Sequence, residues 1–373
     1  MSYPSCRSII PKFLWKHIIE YLSYSDLVKM TVIDKHYADL VDDDAGKTGF
    51  INNRPDAIVI VKCVSSRINY FWKFALQTCI GFNMIYDLFK YIKNDSHSTV
   101  AYYKVFIKAG NYPYYYDDYN HNFNQHYIEI NGSKIGTTTL FGNKACSILY
   151  IINFAYLSIK YVRFNSLFVQ ASNYEYNSLR HMDDNRFIKA FGYSELFVSN
   201  CIFENYKSGL GITSISKSTI INCQFYYEGL QFCDSVYDYD INRMAILKID
   251  KIAECNIFYS TFVIQTSLFG CIYIESALTY NILFSNNNIL KTSILFDNED
   301  DNQTTIMVTD NIICNVNVCM KNCHGTRFSN NHFDNIKLLY DKLCANTILD
   351  NTNIFTNCGE QLMNQIKIEN AMQ

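Results

Sequence analysis

One short phrase recurs along the last two thirds of the chain, and it limits the available folds more than any other feature. Small polar residues, mostly Asn, Ser or Cys, precede Phe, Ile or Leu by two or three positions. The phrase reads "FNSLF" ending at Phe168, "SNCIF" at Phe203, "INCQF" at Phe225 and "ECNIF" at Phe258. It continues as "SNNNIL" at Leu290, "TDNIIC" near Ile313, "SNNHF" at Phe333 and "NTNIF" at Phe355, at intervals of about 20 to 35 residues. A unit this short cannot bury its own apolar face, whereas stacked copies bury it between neighbours. The pattern predicts a solenoid of strands with inward columns of Phe, Ile and Cys. Asn at the corners can bond to its equivalent above and below, and it tolerates the left-handed backbone that sharp corners demand.

Residue usage divides the chain in the same way. All four prolines (Pro4, Pro11, Pro55 and Pro113) lie in the first third; further on, a proline would remove a ladder donor from a stacked strand. None of the 40 asparagines precedes Asn52. The expected organisation is a helical module at residues 1–50, a helical linker and solenoid cap at 51–98, and a repeat domain at 99–373.

In the first module, apolar residues from Ile10 to Tyr37 recur at helical spacing: Leu14, Ile18, Ile19 and Leu22, then Leu27, Met30 and Ile33. Pro11 suits a first helical turn, and Ser25 or Asp26 can cap the next helix. The stretch "IIPKFLWKHIIEYLSYSDLVKMTVIDKHYADLVDD" resembles the F-box. The matching positions are Ile10-Pro11, Leu14, Ile18-Ile19, Tyr21-Leu22, Asp26-Leu27, Ile33 and Tyr37. Phe13 stands where the family commonly has an acidic residue. The alternative is an ordinary helical pair packed on the neighbouring region of the chain.

After an apolar run at 57–64, Ile85, Leu88, Phe89 and Ile92 define one face of a helix predicted over 82–93. Val105 and Ile107 alternate with Phe106 and Lys108 as in a strand, and Ala109 to Tyr112 makes a corner. "YIEINGSKIGTTTLFGN" repeats the scheme of strand, tight turn, strand. This order, with "KAGNY" at Lys108–Tyr112, resembles the start of the pectate-lyase-like right-handed parallel β-helix. The rival is a leucine-rich-repeat solenoid, which needs a steadier period and more Leu than this chain has.

Composition narrows the function. A net charge of -3 with no basic run gives no electrostatic case for nucleic acid. The 14 cysteines show no CxxC pair, so they read as reduced, small buried hydrophobes of a cytoplasmic, non-secreted protein, with zinc a minor alternative and no cofactor or metal expected. Residues 255–274 are uncharged and long enough to span a bilayer, but their interspersed Asn, Ser, Thr and Gln predict buried strands joined by turns.

Candidates for catalysis are Asp183-Asp184 with Arg186, the Asp297/Glu299/Asp300/Asp301 group, and His324-Gly325. His324-Gly325 is similar to the His-Gly of polygalacturonases, without that family's other motifs. Each pattern reads better as solvated or structural, and no nucleophile elbow or phosphate loop is present. A second candidate is non-catalytic. The stretch 111–127 gathers Tyr112, Tyr114, Tyr115, Tyr116 and Tyr119 in what reads as one loop, suited either to binding a substrate protein or simply to covering the domain.

The F-box resemblance, followed by a repeat domain, implies a substrate receptor of an SCF-type ubiquitin ligase. Pro11, Leu14, Ile18, Ile19, Leu22 and Leu27 would dock on Skp1, and the rod would hold the protein to be modified. Some F-box proteins carry repeats of this type, and large DNA viruses encode F-box proteins with similarly AT-rich usage. The expectation is a non-enzymatic adaptor, monomeric within a cullin complex, with no membrane contact. The alternatives are a carbohydrate-binding or carbohydrate-active β-helix capped by its N-terminal helices, and a scaffold protein with no ligase link.

Overall fold

The structure, a computed structural model, describes residues 58–68, 71–94, 101–114, 121–122, 126–142, 149–152, 154–166, 188–191, 195–204, 210–213, 215–227, 245–250, 252, 254–264, 271–275, 281–290, 293–297, 305–321, 326–340 and 348–358. The F-box-like module at 1–50 lies outside them.

From Ala101 onward the described chain is a rod of stacked coils. Each complete coil supplies one strand to each of three parallel sheets, always in the same order. The first coil runs through Ala101–Ile107, Gly110–Tyr114 and His121–Asn122, and the second through Tyr127–Asn131, Thr138–Gly142 and Leu149–Ile152. Seven more coils follow this pattern, and a tenth contributes Ile348–Leu349 and Ile354–Thr356. At about 4.8 Å per coil the rod is about 43 Å long. A parallel β-solenoid is therefore present. Its three sheets per turn set it apart from the single strand per repeat expected of a leucine-rich repeat.

The interior consists of columns in which each residue meets its counterpart one coil away. In the second sheet the register runs Tyr112, Leu140, Phe164, Phe203, Phe225, Phe262, Ile289, Ile313, Phe333 and Phe355. The rings of Phe203, Phe225 and Phe262 stack with centroids 4.7 Å apart and nearly parallel planes. Each such pair adds about 0.5–1.5 kcal/mol to what burial alone contributes. Two of the recurring phrases prove to be out of register. The counterpart of Phe203 in the third coil is Phe164 rather than Phe168, and in the sixth it is Phe262 rather than Phe258. "ECNIF" is instead a strand of the first sheet, Glu254–Phe258, where small polar and apolar residues also alternate.

The corner between the first and second sheets explains the asparagines. Tyr161, Asn200, Asn222, Tyr259, Asn286, Asp310 and Asn330 occupy one corner column, with φ between 50 and 59°. The first six donate their N–H to a carbonyl of the next coil, as Asn222 does to Phe258 at 3.1 Å, and Asn330 donates to Thr352 Oγ1 at 2.9 Å. Asn and Asp carry this backbone at less cost than other side chains. In the second coil the position is Gly132, whose Cβ would lie 2.1 Å from the Tyr161 carbonyl oxygen.

From the third coil on, the residue after the corner points inward, and in the second coil Thr138 takes its place in the register. This column runs Thr138, Val162, Cys201, Cys223, Ser260, Asn287, Asn311, Asn331 and Asn353 along the rod, buried as far as Asn331 and half-buried at Asn353, and its last four members form an amide ladder. Asn311 Nδ2 donates to Phe284 O and Asn331 Oδ1, both at 3.0 Å. Its Oδ1 accepts from Asn287 N at 2.9 Å and Asn287 Nδ2 at 3.1 Å. Both donors and both lone pairs of the buried amide are thus used. Asn331 repeats the arrangement with Val308 O and Asn353 Oδ1. Earlier coils do the same with smaller groups: Cys223 donates Sγ–H to Val198 O at 3.7 Å, and Ser260 Oγ accepts Cys223 N–H at 3.2 Å.

Between residues 51 and 98, expected as a helical linker and solenoid cap, the described part holds a hairpin as well as a helix. The apolar run noted at 57–64 forms the start of strand Ile58–Ile68, which pairs antiparallel with Phe71–Phe82 and with the first coil. Val and Ile lose rotamer freedom in a helix and pack well on a pleated surface. The helix comes next, at Ile85–Asn94, and the four residues assigned to its buried face are the buried ones. Hairpin and helix pack on the first coil and cover that end of the rod.

Replacing Asn311 with Ala removes the acceptor of the Asn287 backbone N–H and of one Asn287 amide N–H, and takes a donor from the carbonyl of Phe284. At about 1–3 kcal/mol for each buried unsatisfied group, the expected loss is about 3 kcal/mol or more. Asn222→Ala, at an exposed corner, should cost about 1–2 kcal/mol. Urea denaturation of both variants checks the order, and equal losses would refute the ladder's importance.

Candidate binding surface

Outside the rod, the same stacking rule brings unlike charges together. On the first sheet, Glu195, Lys217 and Glu254 occupy successive coils, and Lys217 Nζ lies 3.0 Å from Glu254 Oε1. On the second sheet, Arg163 reaches Glu204 one coil away with two hydrogen bonds of 2.7 Å. Arg327 pairs with Asp350 at 2.8 Å. The bonds from Lys217 and Asn256 hold the Glu254 carboxyl below the usual glutamate range, and Arg327 does the same for Asp350. Both carboxyls are less basic folded than unfolded. Their stabilisation is present at neutral pH and is lost as the pH falls through the acid range. A general acid needs the opposite shift.

Toward the last coils, the second sheet exposes a mixed face. Ile312 (45% exposed) and Ile354 (60%) flank His332 in one outward column. His332 Nε2 shares a hydrogen bond with Thr356 Oγ1 at 3.1 Å, and Asp334 accepts from Thr356 Oγ1 at 3.0 Å and Asn357 Nδ2 at 2.7 Å. Tyr259, 60% exposed at a corner, stands between the shorter Asn222 and Asn286. Among the described residues no three His, Cys, Asp or Glu side chains are placed to hold a metal ion. These faces present apolar area, amides and paired charges, which suits noncovalent recognition.

The residues singled out from sequence distribute unevenly. Pro11, Leu14, Ile18, Ile19, Leu22 and Leu27 lie outside the described residues, as do Tyr115, Tyr116 and Tyr119. Tyr112 needs correction as a loop residue. It belongs to strand Gly110–Tyr114, is 8% exposed, and donates its hydroxyl to Lys108 O at 3.1 Å. It heads an interior column and does not present a surface. Tyr114 ends the same strand. Asp297 ends a strand of the third sheet, whereas Asp183, Asp184, Arg186, Glu299, Asp300, Asp301, His324 and Gly325 lie outside the described residues. The outward columns at Ile312–His332–Ile354 were missed because half of each repeat phrase faces outward, and only the register separates the halves.

The uncharged stretch at 255–274 holds parts of three strands, Glu254–Phe258, Thr261–Ile264 and Cys271–Glu275. No helix among the described residues is long and apolar enough to cross a membrane.

No family model and no curated protein matches the chain. A solved structure, Geobacillus virus E2 ORF18, is similar at 11% identity with a TM-score of 0.25; the match covers 79% of this chain and 66% of that one. The chain thus spans just under two thirds of that protein's length. A likeness of this grade says nothing about family or activity.

Cys201, Cys223 and Cys255 are free and buried. Burial pushes the Cys201 thiol well up and that of Cys255 up to about 12. Since the thiolate is the reactive form, alkylation of the native chain near neutral pH should spare these three and reach the partly exposed Cys358 and Cys314 first. Peptide-resolved mass spectrometry checks the order, which should vanish in denaturant.

Proposed function

We propose that the chain is a non-catalytic adaptor of the cytoplasm. Its F-box-like residues 10–27 dock on Skp1, and its rod presents a bound protein to an SCF-type ubiquitin ligase. The reading rests on the F-box-like spacing, and the structural observation that supports it best is the closure of the rod by residues 58–68 and 71–94. The hairpin extends the first sheet beyond the first coil, and Ile85, Leu88, Phe89 and Ile92 of the helix are at most 1% exposed. A solenoid that is capped this way does not need the helical module for that purpose. The alternative in which those helices merely cap a carbohydrate-active rod thereby loses its main premise.

The mechanism is proximity. The adaptor raises the effective concentration of its cargo beside the ligase and performs no bond chemistry itself. We take the rod to be right-handed, like the pectate-lyase type, because parallel strands of one sheet joined by crossovers almost always adopt that hand.

Co-purification with Skp1 tests the adaptor reading. The native chain should retain Skp1, and a Leu14→Asp, Leu22→Asp double variant should retain at least about tenfold less, since a charge in an apolar docking face is costly. No retention by the native chain, or equal retention by both, overturns it.

A further inference from the structure

A buried polar cluster sits where the hairpin meets the first two coils, and the adaptor reading makes no use of it. His126 is 1% exposed, Tyr103 0% and Lys62 5%. Lys62 on the hairpin lies opposite Tyr103 on the first coil, with Nζ 5.9 Å from the ring centroid. The His126 imidazole approaches the same ring edge-on, with centroids 5.2 Å apart and planes at 73°. His126 Nδ1 accepts the buried backbone N–H of Ala101 at 3.1 Å. Ala101 begins the first coil and pairs with Val64 of the hairpin, whereas His126 directly precedes the second coil and its carbonyl accepts Ala155 N–H of the third. One imidazole nitrogen thus ties the start of the rod to the coil above.

A backbone N–H can only donate, so Nδ1 carries no proton and the ring is neutral with its proton on Nε2. A second proton has one place to go, which is Nδ1. Protonation there sets two donors against each other, leaves the buried Ala101 N–H without its acceptor, and brings a second cation to the ring that Lys62 already faces. Each of these is costly away from water. The other described ionisable groups nearby are Tyr102 and Lys104 on the first coil, Tyr127 and Glu129 on the second and Tyr156 on the third. They occupy the alternate, outward positions of their strands. Asp87, Lys90 and Lys93 of the helix lie off its buried face.

We propose that His126 is a pH-sensitive latch: neutral, it fastens the hairpin cap and first coil to the second coil, and protonated, it releases them. The interior of the far end is tied by amides, which do not titrate in this range, and its His332 lies on the exposed outer face, so the loss of a buried bond is confined to the capped end. Residues 1–57 enter the cap at Ile58 and therefore attach to the part that loosens.

Hydrogen exchange of the full chain, at about pH 7.5 and about pH 5.5 to bracket the ordinary histidine range and corrected for intrinsic rates, tests the latch. Protection of residues 58–64 and 101–107 should fall by about tenfold or more at the lower pH, while residues 305–334 change by less than about twofold. His126→Asn offers an amide oxygen near the Nδ1 position without a titrating group, and its cap should be equally protected at both pH values. Equal loss in native and variant chains overturns the proposal. So does an unchanged cap in the native chain, or a loss spread uniformly along the rod, whether or not the variant folds.

Discussion

Stacking identical backbone coils at the spacing of a β-sheet places every side chain about 4.8 Å from its own counterpart above and below. Whatever occupies a column must therefore be content beside a copy of itself, or beside a complement. Flat rings meet this condition by stacking, as Phe203, Phe225 and Phe262 do. Carboxamides meet it because each has a donor for the neighbour's acceptor. Like charges do not, so outside the rod Glu195, Lys217 and Glu254 alternate in sign.

The buried column beside the corner shows how much freedom this leaves. Thiols fill it at Cys201 and Cys223, a hydroxyl at Ser260, and amides from Asn287 to Asn353. All three groups send a donor to a carbonyl and let the rod continue. Only the amide also bonds to the next amide, so the last coils are linked side chain to side chain as well as backbone to backbone. The capped end relies instead on a histidine, a lysine and a tyrosine packed between hairpin and rod, which makes its interior sensitive to protons where the amide ladder is not.

Much of this was legible in the chain. The absence of proline after Pro113 is explained by ladders that need every N–H. Pro113 itself sits in a strand, but on the edge of the second sheet, where one side of the ladder has no neighbour. The amphipathic face of the cap helix was readable because Ile85, Leu88, Phe89 and Ile92 keep helical spacing. Other features were ambiguous for physical reasons. A run such as Ile58 to Val61 fits an extended strand or the wall of a helix pair, and its partners decide between them. Tyr112 sits among many tyrosines and reads as surface. Its place in the interior comes from pairing with Leu140, which local sequence does not reveal.

The F-box-like spacing at residues 10–27 is a property of sequence alone, and the adaptor reading rests on it. Sequence by itself determined that this chain stacks, because recurrent small polar and apolar positions without proline have few other ways to bury their surface. Only the tertiary structure decided which asparagine turns the corner and which enters the core. Adjacent residues such as Asn286 and Asn287, or Asn330 and Asn331, are chemically identical, and the left-handed backbone of the first is what aims the second inward.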